Sequence, residues 1–98
     1  MKARAAQSRE AAEALAIQAL SFLAEEPERL GGFLAASGIG PEAVRDAARA
    51  PGFLGGVLDH MLGDESLLLA FADSAGLDPA SIGRARRALG KPWERDIP

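Results

Sequence analysis

Few residues of this chain have types and spacing that indicate catalysis. Cysteine is absent, which excludes disulfides, thiolate metal sites and cysteine nucleophiles. The single histidine, His60, follows Asp59, and consecutive residues of a helix point in different directions. No spacing brings a serine beside His60, so a Ser-His-Asp arrangement is not indicated. We therefore predict no catalytic residue, no metal ligand and no cofactor, and we expect His60 at a helix end or on the surface.

The segment from residue 67 to residue 89 resembles the helix-turn-helix element of DNA-binding proteins. A small residue, Ala72, is followed four positions later by Gly76, which would make the turn. A hydrophobic residue comes next, and Ile82 stands six positions after the glycine. The second helix of such an element would lie in the major groove of DNA.

A basic stripe on that second helix is the feature that favours a nucleic acid as partner. Arg84, Arg87 and Lys91 have the i, i+3, i+7 spacing that places them on one face, as phosphate contacts require. An earlier segment has the same turn pattern but carries Glu42 and Asp46, which would repel DNA. The whole chain is acidic, with a net charge of −3. Nucleic-acid binding is therefore the alternative hypothesis, and a purely structural turn is the favoured explanation of the pattern.

Trp93 is the one large aromatic side chain in the C-terminal tail, residues 91–98. The tail contains two prolines, which disfavour helix, so we predict that it is extended. A tryptophan offers a large apolar area and rarely stays in water. We expect it either to dock on the core of its own domain or to anchor into a second subunit or a partner.

Length and composition predict one globular domain. The chain has 98 residues, of which 48% are hydrophobic, enough for one modest core. No apolar run reaches the roughly 18 residues of a membrane span. Residues 1–7 are basic but lack the apolar stretch of a signal peptide. We predict a flexible N-terminus over residues 1–7, a single helical domain over residues 8–90 and the tail, in a cytoplasmic protein without membrane contact.

Apolar spacing, prolines and glycines together predict an all-α bundle of about six short helices. Prolines suit the first turn of a helix, and glycines suit the position after its end. The first and fourth helices are apolar almost all round, so the first is expected to be the central one. The predicted helices cover residues 8–24, 27–37, 41–50, about 51–62, 65–75 and 79–90.

Matching residues 38 positions apart predict a tandem duplication of a three-helix unit, residues 19–50 and 57–88. In each copy a glycine is expected to end a helix in the left-handed conformation. The hydrophobic residue after it is expected to contact both the helix before and the helix after. The matches that support the duplication best involve residues with specific structural roles: Phe33 with Phe71, Gly38 with Gly76 and Pro41 with Pro79.

Two glycine pairs fall inside predicted helices, at residues 31–32 and 55–56. Each helical glycine costs roughly 1 kcal/mol relative to alanine. Close approach of two helices would compensate for that cost, and we predict it at both pairs.

Four segments of the chain carry a family resemblance: Leu-Ala-Glu-Glu-Pro-Glu-Arg-Leu at 23–30, Gly-Ile-Gly-Pro at 38–41, Leu-Leu-Leu-Ala-Phe at 67–71 and Gly-Leu-Asp-Pro at 76–79. With its Ala-rich first helix, the chain resembles a family of small, mainly alphaproteobacterial proteins known as the domain of unknown function DUF3572. The resemblance covers roughly residues 8–90 and lies in capping and core positions. It implies a cytoplasmic bacterial protein and transfers no catalytic or binding residue.

These observations favour a non-enzymatic protein–protein interaction module, either self-associating as a homodimer or binding another protein. The apolar helices and Trp93 together suggest more hydrophobic surface than one small core buries. The candidate interaction residues are Trp93, Arg84, Arg87 and Lys91.

Overall fold

The computed structural model of the protein describes residues 9–90. In this range the chain forms six α-helices, one 3-10 turn and no strand, which confirms the predicted all-α bundle. None of these helices combines the length and the hydrophobicity needed to span a membrane. The helices are α1 (Arg9–Ala24), α2 (Pro27–Ser37), α3 (Val44–Ala47), α4 (Phe53–Leu62), α5 (Glu65–Ala75) and α6 (Pro79–Leu89), and the 3-10 turn Pro41–Ala43 precedes α3.

The glycine turns after α2 and α5 have the predicted geometry. Gly38 and Gly76 adopt left-handed φ angles of 72° and 67°. After α2, the amide of Ile39 donates to the carbonyl of Leu34 at 3.0 Å. After α5, the amide of Leu77 makes the equivalent bond at 2.8 Å. Each helix therefore ends in a Schellman motif, which satisfies carbonyl groups that the helix leaves without a partner.

The helices that follow the two turns differ. Asp78 caps α6 because its carboxylate accepts a hydrogen bond from the amide of Ala80 at 3.0 Å. Gly40, at the matching position, has no side chain to do so, and the chain continues as a 3-10 turn and the four-residue α3. Val44 remains half-buried, whereas Ile82 is fully buried. The third helix is thus shorter than predicted, and the tandem duplication stays a prediction.

The core surrounds α1, which contacts α2, α4, α5 and α6. Its position as the central helix was predicted from its composition. Two aromatic contacts join helices of the core. Phe22 of α1 meets Phe71 of α5 at 5.5 Å between ring centroids, and Phe33 of α2 meets Phe53 of α4 at 5.8 Å. The buried hydrophobic residues are Ala12, Ala16, Ala19, Phe22, Leu23, Phe33, Phe53, Val57, Leu58, Met61, Phe71, Ala72, Ile82, Ala85 and Leu89.

The glycine pairs do not mark close helix–helix approaches, and that prediction was wrong. A Cβ atom added at Gly31, Gly32 or Gly56 would meet nothing within 4 Å. At Gly55 the neighbour is a side chain: an added Cβ would lie 3.2 Å from Cζ of Arg86. Gly55 therefore makes room for a guanidinium group rather than for the backbone of another helix.

Candidate functional site

Two of the three residues of the predicted basic stripe are exposed on α6. Arg84 and Arg87 lie one turn apart, on the side opposite the buried Ile82. Among residues 9–90, neither guanidinium lies within 4 Å of a carboxylate. Lys91, the third member, lies outside the described residues. α5 and α6 are joined by three residues.

The N-terminus of α6 already has a carboxylate partner. Asp78 accepts the amide hydrogen of Ala80, and Oγ of Ser81 donates to the backbone carbonyl of Asp78 at 2.6 Å. A helix N-terminus attracts anions such as phosphate because its amide groups are unpaired. Here Asp78 occupies that position and carries a negative charge, which disfavours a phosphate at this point.

Arg86, between the two exposed arginines, has a structural role. Its Nε donates to Oδ1 of Asp59 at 2.7 Å, and its Nη1 donates to the carbonyl of Gly90 at 2.8 Å. Arg9 donates to the carbonyl of Leu89 at 2.6 Å. The two arginines thus satisfy carbonyl groups at the C-terminal end of α6, where positive charge is stabilising. They border a cleft of about 240 Å³, and we interpret this cluster as a helix cap.

His60 lies in the last turn of α4, at a helix end as expected. It is half-buried, and its ring meets Phe33 at 5.4 Å between centroids in an edge-to-face orientation. Within residues 9–90, no group of three histidine, aspartate or glutamate side chains is placed to hold a metal ion. His60 therefore contributes to packing at the end of α4.

Trp93 lies outside the described residues, as does the rest of the tail from residue 91. The two alternatives for its docking stay predictions. The flexible N-terminus predicted for residues 1–7 lies outside the described range as well.

A shallow groove between α1 and α5 is the most distinctive apolar feature of the described surface. Ile17 stands on its rim with 53% of its surface exposed, and it is one of three large exposed hydrophobic residues. The aromatic pair of Phe22 and Phe71 lies beneath, and the groove encloses about 220 Å³. We call it the Ile17 groove; it is lined by Ile17, Gln18, Ser21 and Phe22 of α1, by Glu25 just after α1, and by Phe71, Ser74 and Ala75 of α5.

The two aromatic rings that form the floor of the Ile17 groove pack against each other, and one of them also contacts an arginine. Phe71 is almost fully buried, and its ring is tilted by 52° against that of Phe22. The guanidinium of Arg29 lies over the Phe22 ring, 4.2 Å from its centroid, in a cation–π contact. Arg29 also forms an ion pair with Glu26 at 3.7 Å. The walls combine the short side chains of Ser21, Ser74 and Ala75 with the longer ones of Gln18 and Glu25.

Sequence reasoning missed the groove, although the sequence held a signal for it. The polar side chains of α1 include Glu13 and Ser21, and Ile17 lies between them, about 40° from each at 100° per residue. An isoleucine inside the polar arc of an amphipathic helix faces solvent. The opposite wall of the groove is formed by α5, and no local pattern predicts that α5 packs there.

One comparison with known proteins identifies a family. The family described as a protein of unknown function, DUF3572, matches residues 9–92. Curated proteins and solved structures give no match to this chain. The family match covers nearly the whole sequence and includes every helix of the fold. On that basis the chain belongs to the DUF3572 family.

Proposed function

We propose that this protein is a non-enzymatic interaction module that binds a protein through the Ile17 groove. The observation that carries the proposal is the exposure of Ile17 at the middle of the central helix, while Leu15, Leu20 and Leu23 pack on the core. An exposed apolar side chain beside a concave aromatic floor is typical of protein–protein contact sites. The family resemblance suggests the bacterial cytoplasm as the compartment, and this is part of the proposal.

The size of the groove supports a protein side chain as its occupant rather than a metabolite. Small-molecule sites usually enclose roughly 300–1,000 Å³ and bury most of the ligand. The Ile17 groove encloses about 220 Å³ and is open along α1. A single leucine, methionine or phenylalanine side chain fits this description, presented by another protein or by a second copy of this one.

Affinity capture from the native cytoplasm tests the proposal. Tagged wild-type protein, Ile17→Gln and Leu62→Gln would be compared after nuclease treatment. Leu62 is the matched control, since it is also a large exposed hydrophobic residue but lies at the end of α4, outside the groove. We expect partners that are captured by the wild type and Leu62→Gln and are lost with Ile17→Gln. A set of captured proteins that is identical for all three variants would contradict the proposal.

Self-association is the other form of the proposal, and sedimentation tests it. A dimer that forms through the groove would dissociate in Ile17→Gln and persist in Leu62→Gln. A monomer over the whole concentration range would exclude self-association through the groove.

Nucleic-acid binding through α6 is the second candidate function. The exposure of Arg84 and Arg87 favours it, because neither has a carboxylate partner within residues 9–90. Asp78 at the start of α6 and Asp73 on α5 oppose it by charge.

Fluorescence anisotropy with labelled duplex DNA at low salt tests the second candidate. We expect an affinity that falls steeply with salt and is reduced at least about tenfold by the double change Arg84→Ala and Arg87→Ala. Arg45→Ala is the control, as Arg45 is exposed on α3, away from α6. The absence of binding at low salt would exclude this function.

A further inference from the structure

The cleft beside the C-terminal end of α6 lies where the C-terminal tail leaves the helical domain. Nη1 of Arg9 donates to the carbonyl of Leu89 at 2.6 Å, and Nη1 of Arg86 donates to that of Gly90 at 2.8 Å. All four residues line the cleft, so the tail, residues 91–98, begins at its edge. We call it the α6 cleft; its lining also includes Glu13 of α1, residues 48–52 and Leu54 of α4.

The wall of the α6 cleft opposite α6 belongs to a poorly packed part of the domain. No residue from 34 to 52 is buried, which is the longest such run between residues 9 and 90. Within this run, Ala48, Ala50 and Pro51 are exposed and line the cleft. A segment with few buried side chains opens locally at a low free-energy cost. A side chain that filled the cleft would cover this wall and connect it to α1 and α6.

The first large apolar side chain after Gly90 is that of Trp93. Three residues of extended chain span at most roughly 11 Å, so the tether keeps Trp93 close to the cleft. The α6 cleft encloses about 240 Å³, which suits one large side chain. Pro51 and Leu54 offer apolar contact, and the arginines of the lining offer guanidinium groups, which stack on aromatic faces.

The polar end of an indole also finds a partner in this lining. A buried tryptophan N–H usually needs a hydrogen-bond acceptor. Glu13 supplies the one carboxylate among the residues that line the α6 cleft, and it is half-buried. Between residues 9 and 90, no arginine lies within 4 Å of it as an ion-pair partner.

We propose that the α6 cleft is the docking site of Trp93 from the same chain. The docked indole packs between α1, α6 and residues 48–52 and holds this connection against the domain. A short tether gives Trp93 an effective concentration in the millimolar range at its own cleft, roughly what a second copy would need to compete. This inference goes beyond the proposed function, because no residue that lines the α6 cleft lines the Ile17 groove.

Intrinsic fluorescence tests the docking, since Trp93 is the only tryptophan and the chain has no tyrosine. We expect the folded protein to emit at a shorter wavelength than the urea-unfolded chain and to be quenched less by acrylamide, at every protein concentration. Identical emission and quenching in the two states would overturn the proposal. A shift to shorter wavelength that disappears on dilution would place Trp93 in a second copy and would overturn it as well.

Two matched variants locate the docking site. Ala50→Gln puts a longer side chain into the α6 cleft. Ala11→Gln makes the same change at an exposed alanine of α1, in a separate groove between α1 and α6. We expect Ala50→Gln to move the emission towards that of the unfolded chain and Ala11→Gln to leave it unchanged. The reverse result, or no effect of Ala50→Gln, would place Trp93 elsewhere and overturn the proposal.

Amide hydrogen exchange measures the local consequence. In Trp93→Ala, the amides of residues 44–53 should exchange at least about tenfold faster, because this wall of the cleft loses its cover. The amides of α5 should keep their rates, and Trp93→Phe should retain most of the protection. No acceleration in residues 44–53, or an equal acceleration in all helices, would overturn the proposal. Circular dichroism of each variant confirms that the fold is intact.

Discussion

At the residue scale, the arginines of α6 show that one residue type has different roles one position apart. Arg86 bonds to Asp59 on α4 and to the carbonyl of Gly90, the residue after α6. Arg87 is exposed on the other side of the helix. Position 55 carries no Cβ atom, and an added one would lie 3.2 Å from Cζ of Arg86, closer than an ordinary van der Waals contact. Gly55 and Arg86 therefore form one structural unit that joins α4 to the end of α6.

This unit predicts different outcomes for two neighbouring glycine substitutions. Gly56→Ala should raise the free energy of unfolding by roughly 1 kcal/mol, because alanine favours helix and nothing lies within 4 Å of the new Cβ. Gly55→Ala should give a smaller gain or a loss, since its Cβ would lie 3.2 Å from Cζ of Arg86 and displace the guanidinium. Urea unfolding followed by circular dichroism measures both.

An Arg86→Ala background provides the control for this prediction. Without the guanidinium, the two alanine substitutions should have closely similar effects, as in a double-mutant cycle. An equal gain from both substitutions in the wild-type background would contradict the role of Gly55.

At the element scale, two of the helices begin at an aspartate whose side chain caps them. Asp64 and Asp78 accept hydrogen bonds from backbone amides at the starts of α5 and α6, and each of these helices has 11 residues. Gly40 cannot cap, and α3 after it has four residues. The helices that follow the two left-handed glycine turns thus differ both in their N-cap residue and in their length.

Removal of one cap should have a measurable cost. Asp78→Ala is expected to lower the free energy of unfolding by about 1 kcal/mol, because the amide of Ala80 loses its partner. Asp78→Asn should retain most of the stability, as asparagine caps equally well. Thermal unfolding of the two variants compares them directly. A loss as large for asparagine as for alanine would show that the charge of Asp78 matters more than its hydrogen bond.

At the scale of the whole molecule, the two sides of α1 have different roles. One side carries Leu23, which is fully buried at the centre of the core, and the other carries Ile17. A helix that contacts four others still leaves one strip uncovered, and the Ile17 groove lies along this strip. The division separates residues that are buried in the core from residues that stay exposed to solvent.

Matched alanine substitutions on α1 test this division. Leu23→Ala should lower the free energy of unfolding by about 2–5 kcal/mol, because it leaves a cavity in the core. Ile17→Ala should change it by less than about 1 kcal/mol, since the side chain is half exposed already. Urea unfolding of the two variants gives the comparison. A similar loss for both would show that Ile17 belongs to the core rather than to a binding surface.

Most of the helix boundaries could be predicted because the signals for them are local. A proline in the first turn, a glycine after the last turn and an aspartate cap act within a few residues of the chain. The ends of α2 and the bounds of α5 agree with the prediction for this reason. The third helix was overestimated: the segment forms a 3-10 turn followed by a four-residue helix, and the glycine before it has no side chain that could act as a cap.

The sequence alone therefore determined the all-α class, the left-handed turns at Gly38 and Gly76, and the family. Only the tertiary structure decided which side of α1 stays uncovered, what Gly55 accommodates and which arginines of α6 are paired. Helix ends depend on backbone conformation and on hydrogen bonds between near neighbours. The burial of a side chain depends on which distant helix packs against it, and no local pattern contains that information.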